Sequence, residues 1–281
     1  MPVAKPTICG IESRRHTKAG RFYQILQPPK PPYPSVTTVE NVIAKQALYH
    51  WYAKMERQAV MAVAADMFEE LSKPLVISTG ITRETYLSLL ESRIGKAKAA
   101  TKAVEAAGEI GSQAHAMIEW HIRGLLGLSV GPPPKICTAA SWAFMAFQDW
   151  ARSIELLPLR SEQVVFSHVH RYAGTLDLLA YIMRDGQRRL GLVDFKTGKA
   201  VYAEAYLQLA AYRQALIEMG LETADACFVV RLPKIETDPE FEVVEVENVE
   251  EHFAAFLAAR QLWEWQQVQE AAYREKVRGA Q

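Results

Sequence analysis

The chain has 281 residues, with 32 basic and 32 acidic side chains, so its formal net charge is zero. That length suits one large domain or two small ones, and a hydrophobic content of 49% is enough for a sizeable core. No global basic field announces a polyanion partner, although a local basic groove is compatible with a neutral total. Three scattered cysteines, Cys9, Cys137 and Cys227, show no zinc or disulfide spacing and cannot supply the four thiolates of an iron–sulfur cluster. No apolar run is long enough to span a bilayer, and the first twenty residues lack the apolar stretch of a secretory signal.

In chain order, residues 1–34 read as a loose, proline-rich segment with one β-prone run, Arg21 to Ile25. Pro28, Pro29, Pro31, Pro32 and Pro34 predict a stiff, extended connector. Residues 35–281 read as a single domain. Thr37 and Glu40 fit a capping box, which predicts a helix through about Glu70. Trp51, Tyr52, Met55, Met61, Met67 and Phe68 read as its core stripe, and Lys45, Lys54 and Arg57 as a solvated face, with a DNA-facing role the alternative.

Thr82 to about Leu90 predicts a short helix. Arg83, Arg93, Lys96, Lys98 and Lys102 form the most basic stretch of the middle of the chain. It fits a strip that tracks a nucleic-acid backbone, and it fits a solvated helix face equally well. Gly108 to Leu126 reads as a helix with a glycine-marked start. It places His115 and Glu119 on one face at i, i+4. Gly131 to Pro134 breaks the chain, and a helix over Ala139–Glu155 follows, its aromatics assigned to packing. Residues 161–170 read as a strand opened by Glu162. His121, His168 and His170 receive no role.

Residues 171–199 concentrate the chemistry. Asp185-Gly186 between two β-prone runs is a hairpin signal, because a two-residue type I′ turn needs positive φ at both central positions. The implied register sets Asp177 opposite Asp194 and Thr175 opposite Lys196. Asp177, Asp194 and Lys196 then share one face, among Leu179 and Leu192, while Leu176, Leu178, Val193 and Phe195 take the other. Like charges directly opposite destabilise a sheet. A divalent cation compensates them, and Mg²⁺ characteristically takes one or two carboxylates plus water and phosphate oxygens. A lysine two residues beyond the second Asp can orient water or neutralise developing charge.

Beyond Lys199 the pattern predicts a helix over Ala203–Glu218, with Gln208 and Tyr212 on one face and Glu204 in the same row. Strands over Ala226–Leu232 and Phe241–Glu247 follow, and then a terminal helix over 249–275. The order predicts an α/β fold, with a mixed central sheet of about four or five strands, helices on both sides and an N-terminal helical lobe.

Gly174-Thr175-Leu176-Asp177, Asp194-Phe195-Lys196-Thr197-Gly198-Lys199 and Gln208-x-x-x-Tyr212 together resemble the PD-(D/E)XK nuclease superfamily. They are most similar to its RecB-type branch, which includes phage exonucleases and the mitochondrial genome maintenance exonuclease. The resemblance implies a restriction-endonuclease-like core, in which Asp177 and Asp194 hold Mg²⁺ or Mn²⁺ and Lys196 positions or activates water. Gly111-x-x-x-His115 resembles the branch's first motif, which implies that His115 faces the metal. Glu162, by the same resemblance, stands near the metals, and the Phe195 carbonyl is a further candidate ligand. Gln208 would touch substrate phosphate or the lysine, with Tyr212 behind it. Tyr33 to Thr37 also resembles the start of the nuclease domain in phage members, which makes Ser35 and Thr37 candidates for phosphate contact or simply a helix cap. Asp194 replaces the commoner Glu and shortens ligand reach by one methylene.

The resemblance implies a metal-dependent deoxyribonuclease, most simply an exonuclease acting on DNA ends or single strands in replication, recombination or repair. Its partners would be DNA and a recombination or replication protein, in a bacterial or phage-infected cytoplasm rather than a mitochondrion. The alternative is a catalytically weak DNA-binding or assembly protein on the same scaffold, because fold does not fix function. RNA stays open as a substrate, since no reader of a 2′-hydroxyl is recognisable.

Overall fold

A computed structural model of the chain describes residues 11–17, 20–25, 31–44, 46–72, 81–94, 99–184, 186–238 and 240–279. The chain divides into two compact units, one from Met1–Ile43 with Gly111–Gln281 and the other Ala44–Ile110.

The smaller unit is helical. The expected single helix from Thr37 to Glu70 is two elements. Helix α1 (Val36–Glu40) belongs to the larger unit and is capped by Ser35, whose side chain accepts from the Thr38 N–H. Helix α2 (Gln46–Leu71) starts afresh after a turn. The capping-box reading is corrected: Ser35, two residues earlier than Thr37, supplies the cap. The core-stripe reading of α2 also fails in part. Met67 is buried, but Met61 and Phe68 are 66% and 71% exposed. Helix α3 (Arg83–Ile94) packs beside α2, where Arg93 donates to Glu70 at 2.8 Å. Helix α4 (Ala99–Leu125) begins here, and Glu56 accepts the Ala100 N–H at 2.9 Å, pairing one of the donors that every helix start leaves open. Of the basic stretch, Arg83, Arg93 and Lys102 are exposed, while Lys96 and Lys98 lie outside the described residues.

Helix α4 does not start at Gly108 as expected. It runs straight through Gly108 and Gly111 and leaves both in its interior. The helix absorbs the two glycines, each of which costs about 1 kcal/mol against alanine.

The larger unit carries two sheets. Strands β1 (Ile11–Thr17), β2 (Gly20–Ile25) and β3 (Tyr33–Pro34) pair antiparallel, so the stretch expected as a loose segment contributes all three. Pro28 and Pro29 lie outside the described residues. The second sheet has the order β4 (Leu157–Ser167), β5 (Tyr172–Arg184), β6 (Gln187–Lys196), β7 (Ala226–Arg231), β8 (Glu242–Glu245). Only β6 and β7 pair in parallel, joined through α6 (Glu204–Glu218); the other neighbours are antiparallel. This is the α/β fold with a mixed, helix-flanked sheet and an N-terminal helical region that the element order predicts.

The hairpin takes the predicted register from Arg184↔Gln187 to Leu178↔Val193, and Gly186 has φ 73°, as its turn position requires. Asp185 lies outside the described residues. Helix α5 (Thr138–Ser153) covers one face, where the Phe195 ring sits 5.5 Å from both Phe147 and Trp150. Helix α6 covers the other, with Leu179 and Leu192 in one buried cluster with Leu209, Ala211 and Leu216. Helix α7 (Val249–Gly279) packs on α6 and buries Phe256 in the same cluster. Among the described residues no helix is long and apolar enough to cross a membrane.

Candidate active site

The β5–β6 ladder stops at Leu178↔Val193, one residue short of the two aspartates. Asp177 and Asp194 are therefore not the ladder partners that the turn register implied. The Asp177 carboxylate takes over instead, its Oδ2 accepting the Phe195 N–H at 2.8 Å. A side-chain acceptor thus replaces a backbone one where two carboxylates would otherwise face each other. The same bond, with the aromatic packing of the Phe195 ring, fixes the backbone between Asp194 and Lys196.

Two residues converge on Asp177. His115 stands one helical turn beyond Gly111, and its Nδ1 lies 3.7 Å from Asp177 Oδ2. Gly111 permits this approach: a Cβ there would lie 3.1 Å from Thr197 Oγ1, just past β6. Glu162 sits inside β4 rather than opening it, between Ser161↔Leu178 and Gln163↔Leu176. Its φ of 49° is left-handed, a conformation that costs a non-glycine residue about 1 kcal/mol or more. One ligand atom from each of His115, Glu162 and Asp177 falls within 4.8 Å of the others. An imidazole nitrogen with carboxylate oxygens is a donor set that could hold a divalent cation without a thiolate.

Asp194 belongs to a second group. Its carboxylate is 2% exposed, with the Lys196 Nζ 2.7 Å from Oδ2. The contact is a short ion pair between the ammonium and a buried carboxylate oxygen. The Lys196 Nζ also donates to Gln208 Oε1 at 2.8 Å, and Gln208 Nε2 donates to the Tyr212 hydroxyl at 3.1 Å. Gln208 and Tyr212 share a face of α6, as their spacing predicts. Gly174 lets that helix in, since a Cβ there would collide with the Tyr212 ring.

Burial pushes the Asp194 carboxyl up to about 6; the Lys196 ammonium pulls it back and Asp177 adds to the rise. Burial pulls the Lys196 ammonium down, but Asp194, Asp177 and Glu40 outweigh it and the net direction is up. Lys196 therefore carries its proton at neutral pH. Burial, then Glu40 and Asp194, push the Tyr212 phenol well above its ordinary value, which keeps it protonated.

Several other residues fall outside these groups. Glu119 pairs with Arg123 at 3.2 Å along α4, and among the described residues it is not in the group that could hold a metal ion. His121 lies edge-on to Phe144 and Phe147, and burial lowers its pKa. Ser35 is 2% exposed, with its Oγ bonded within α1 to Thr37 and Thr38. Sequence reasoning missed Glu40, which it assigned to a cap. Glu40 is 5% exposed and acts electrostatically on both Lys196 and Tyr212. It also missed Tyr23, whose hydroxyl bonds Thr175 Oγ1 at 2.9 Å. No local pattern marks either residue, because both reach the site only through the fold.

No protein-family model matches the chain, and no curated protein matches it. Among solved structures, it is similar to an alkaline exonuclease from Laribacter hongkongensis at 13% identity and a TM-score of 0.29, over 58% of this chain and 86% of that one. A likeness of that size leaves the chemistry to be argued from this chain's own residues.

Proposed function

We propose that the chain is a Mg²⁺- or Mn²⁺-dependent deoxyribonuclease of the PD-(D/E)XK type and RecB-type branch, an exonuclease acting on DNA ends or single strands. The observation that carries this reading is the meeting of His115, Glu162 and Asp177 beside the Asp194–Lys196–Gln208 chain. In this reading His115, Glu162, Asp177 and Asp194 hold the cation, and the backbone fixed at Phe195 offers its carbonyl to the same site. The bound ion supplies Lewis acidity at the phosphate.

The chain's own residues do the rest. Lys196 positions or activates the attacking water, or donates a hydrogen bond to a phosphate oxygen. Gln208 holds the Lys196 Nζ on its far side, and Tyr212 holds Gln208. The lysine then meets the reacting phosphate with its rotamers already restricted. The net reaction adds water across a P–O3′ bond: the water oxygen joins phosphorus, and the 3′ oxygen leaves and takes a proton.

The test incubates wild type and Lys196→Ala with end-labelled single-stranded DNA, duplex DNA and RNA, in Mg²⁺, Mn²⁺ or EDTA. Wild type with metal is expected to release short DNA products, with Lys196→Ala slower by roughly 10²–10³-fold. Intact DNA under both metals overturns the reading, and cleavage confined to RNA corrects its substrate.

A further inference from the structure

The loop between β6 and α6, residues 197–203, leaves the site directly after Lys196. Its side chains are not those of a mere connector. Tyr202 is 54% exposed, and Lys199 is exposed beside it. The Tyr202 ring runs alongside Gly198: a Cβ on that glycine would lie 4.0 Å from Tyr202 Cε2 and 3.5 Å from the Ala200 carbonyl oxygen. The tyrosine is also anchored, since its carbonyl accepts the Ala205 N–H at 3.0 Å at the start of α6. This is the helix that carries Gln208 to Lys196. An aromatic ring is thus open to solvent on a backbone tied to the start of α6, six residues from the lysine. A chain of that length spans at most about 20 Å, the reach of a few nucleotides.

We infer that Tyr202 is a stacking platform for one nucleobase flanking the scissile phosphate, with Lys199 pairing a neighbouring phosphate. The inference rests on the nuclease reading and sharpens it to unpaired DNA as the substrate class. A base inside a duplex is already stacked on both sides, so only one freed from pairing offers its face to the ring. Stacking of this kind tolerates any base, which suits processive degradation of arbitrary sequence. Lys199 adds charge without sequence information.

The experiment is a cycle between protein and substrate. Single-stranded oligonucleotides carry one abasic tetrahydrofuran site, moved along the strand. Wild type, Tyr202→Ala and Tyr202→Trp are compared by binding anisotropy in EDTA and by cleavage in Mn²⁺. Tyr202→Ala is expected to weaken binding of intact strand by about 5- to 150-fold, while Tyr202→Trp retains it. At one abasic position, Tyr202→Ala should cost nothing further, because the ring has lost its base. Lys199→Gln should lower the salt slope of binding by about 0.7. Unchanged binding by Tyr202→Ala overturns the inference, as does a Tyr202→Ala penalty that stays full at every abasic position. If wild type binds but cleaves nothing, the nuclease reading fails and the anisotropy cycle alone decides the stack. Tyr202 is exposed, so unaltered circular dichroism should accompany every variant.

Discussion

The two aspartates of the hairpin are chemically identical and sit in opposite surroundings. Asp177 keeps 14% of its side chain exposed, gives one oxygen to a backbone N–H, and stands among His115 and Glu162. Asp194 is 2% exposed and is tied to Lys196 by an ion pair of 2.7 Å. One half of the site therefore presents open donors to a cation, and the other holds a fixed ammonium. The contrast shows why a hairpin tolerates two carboxylates at its end. The ladder gives way to a side-chain acceptor at one, and a lysine neutralises the other.

The largest expected effect separates the halves by what they lose. Asp177→Ala should abolish tight Mn²⁺ binding in a calorimetric titration and lower cleavage by on the order of 10³-fold, the scale of lost metal-borne charge stabilisation. Lys196→Ala should slow cleavage yet leave Mn²⁺ binding intact. Equal loss of Mn²⁺ in both variants would merge the halves into one unit.

Gly174→Ala comes next. Its methyl group would push the Tyr212 ring and, through it, Gln208. Overpacking of this kind costs about 1–3 kcal/mol, read by denaturant titration, and kcat should fall while Mn²⁺ affinity holds. A variant of wild-type stability and rate would show that the close approach does not matter.

Glu162→Gly sharpens the ligand half. Glycine adopts φ 49° freely, so the metal-free protein should gain about 1 kcal/mol. Mn²⁺ affinity should fall together with that gain. Higher stability with unchanged Mn²⁺ binding would remove Glu162 from the site and leave its strain without a purpose.

A further effect is in pH. The Asp194 carboxyl titrates near 3.8 when free and is raised by burial to about 6 in the fold. The metal-free protein binds its proton more tightly than the unfolded chain does. That contribution to stability is fully present below about 3.8 and is lost as pH rises through about 6. Asp194→Asn should flatten this slope in thermal melts of the metal-free protein. Mn²⁺, which competes with the same proton, should bind more tightly as pH climbs through that window. A slope unchanged by Asp194→Asn would place the titration elsewhere.

Much of the fold follows from short-range pattern. The Asp-Gly turn and the period of two set the β5–β6 register, and the i, i+4 spacing puts Gln208 and Tyr212 on one face of α6. Each is decided by residues a few positions apart, where backbone geometry leaves few choices. The parallel pairing of β6 with β7 through a helix follows from element order.

The tertiary structure alone decided what depends on distant packing. The ladder ends one residue before its turn register requires, because the two carboxylates meet an N–H and an ammonium instead of each other. Glu162 lies within its strand at a left-handed φ that no neighbour announces. Glu40 acts electrostatically on Lys196 and Tyr212, which lie 156 and 172 positions away along the chain, and a capping pattern was all its neighbours offered. In α2, apolar spacing promised a core stripe, yet Met61 and Phe68 are exposed. Periodicity reports which residues share a face, and only the folded chain settles what covers it.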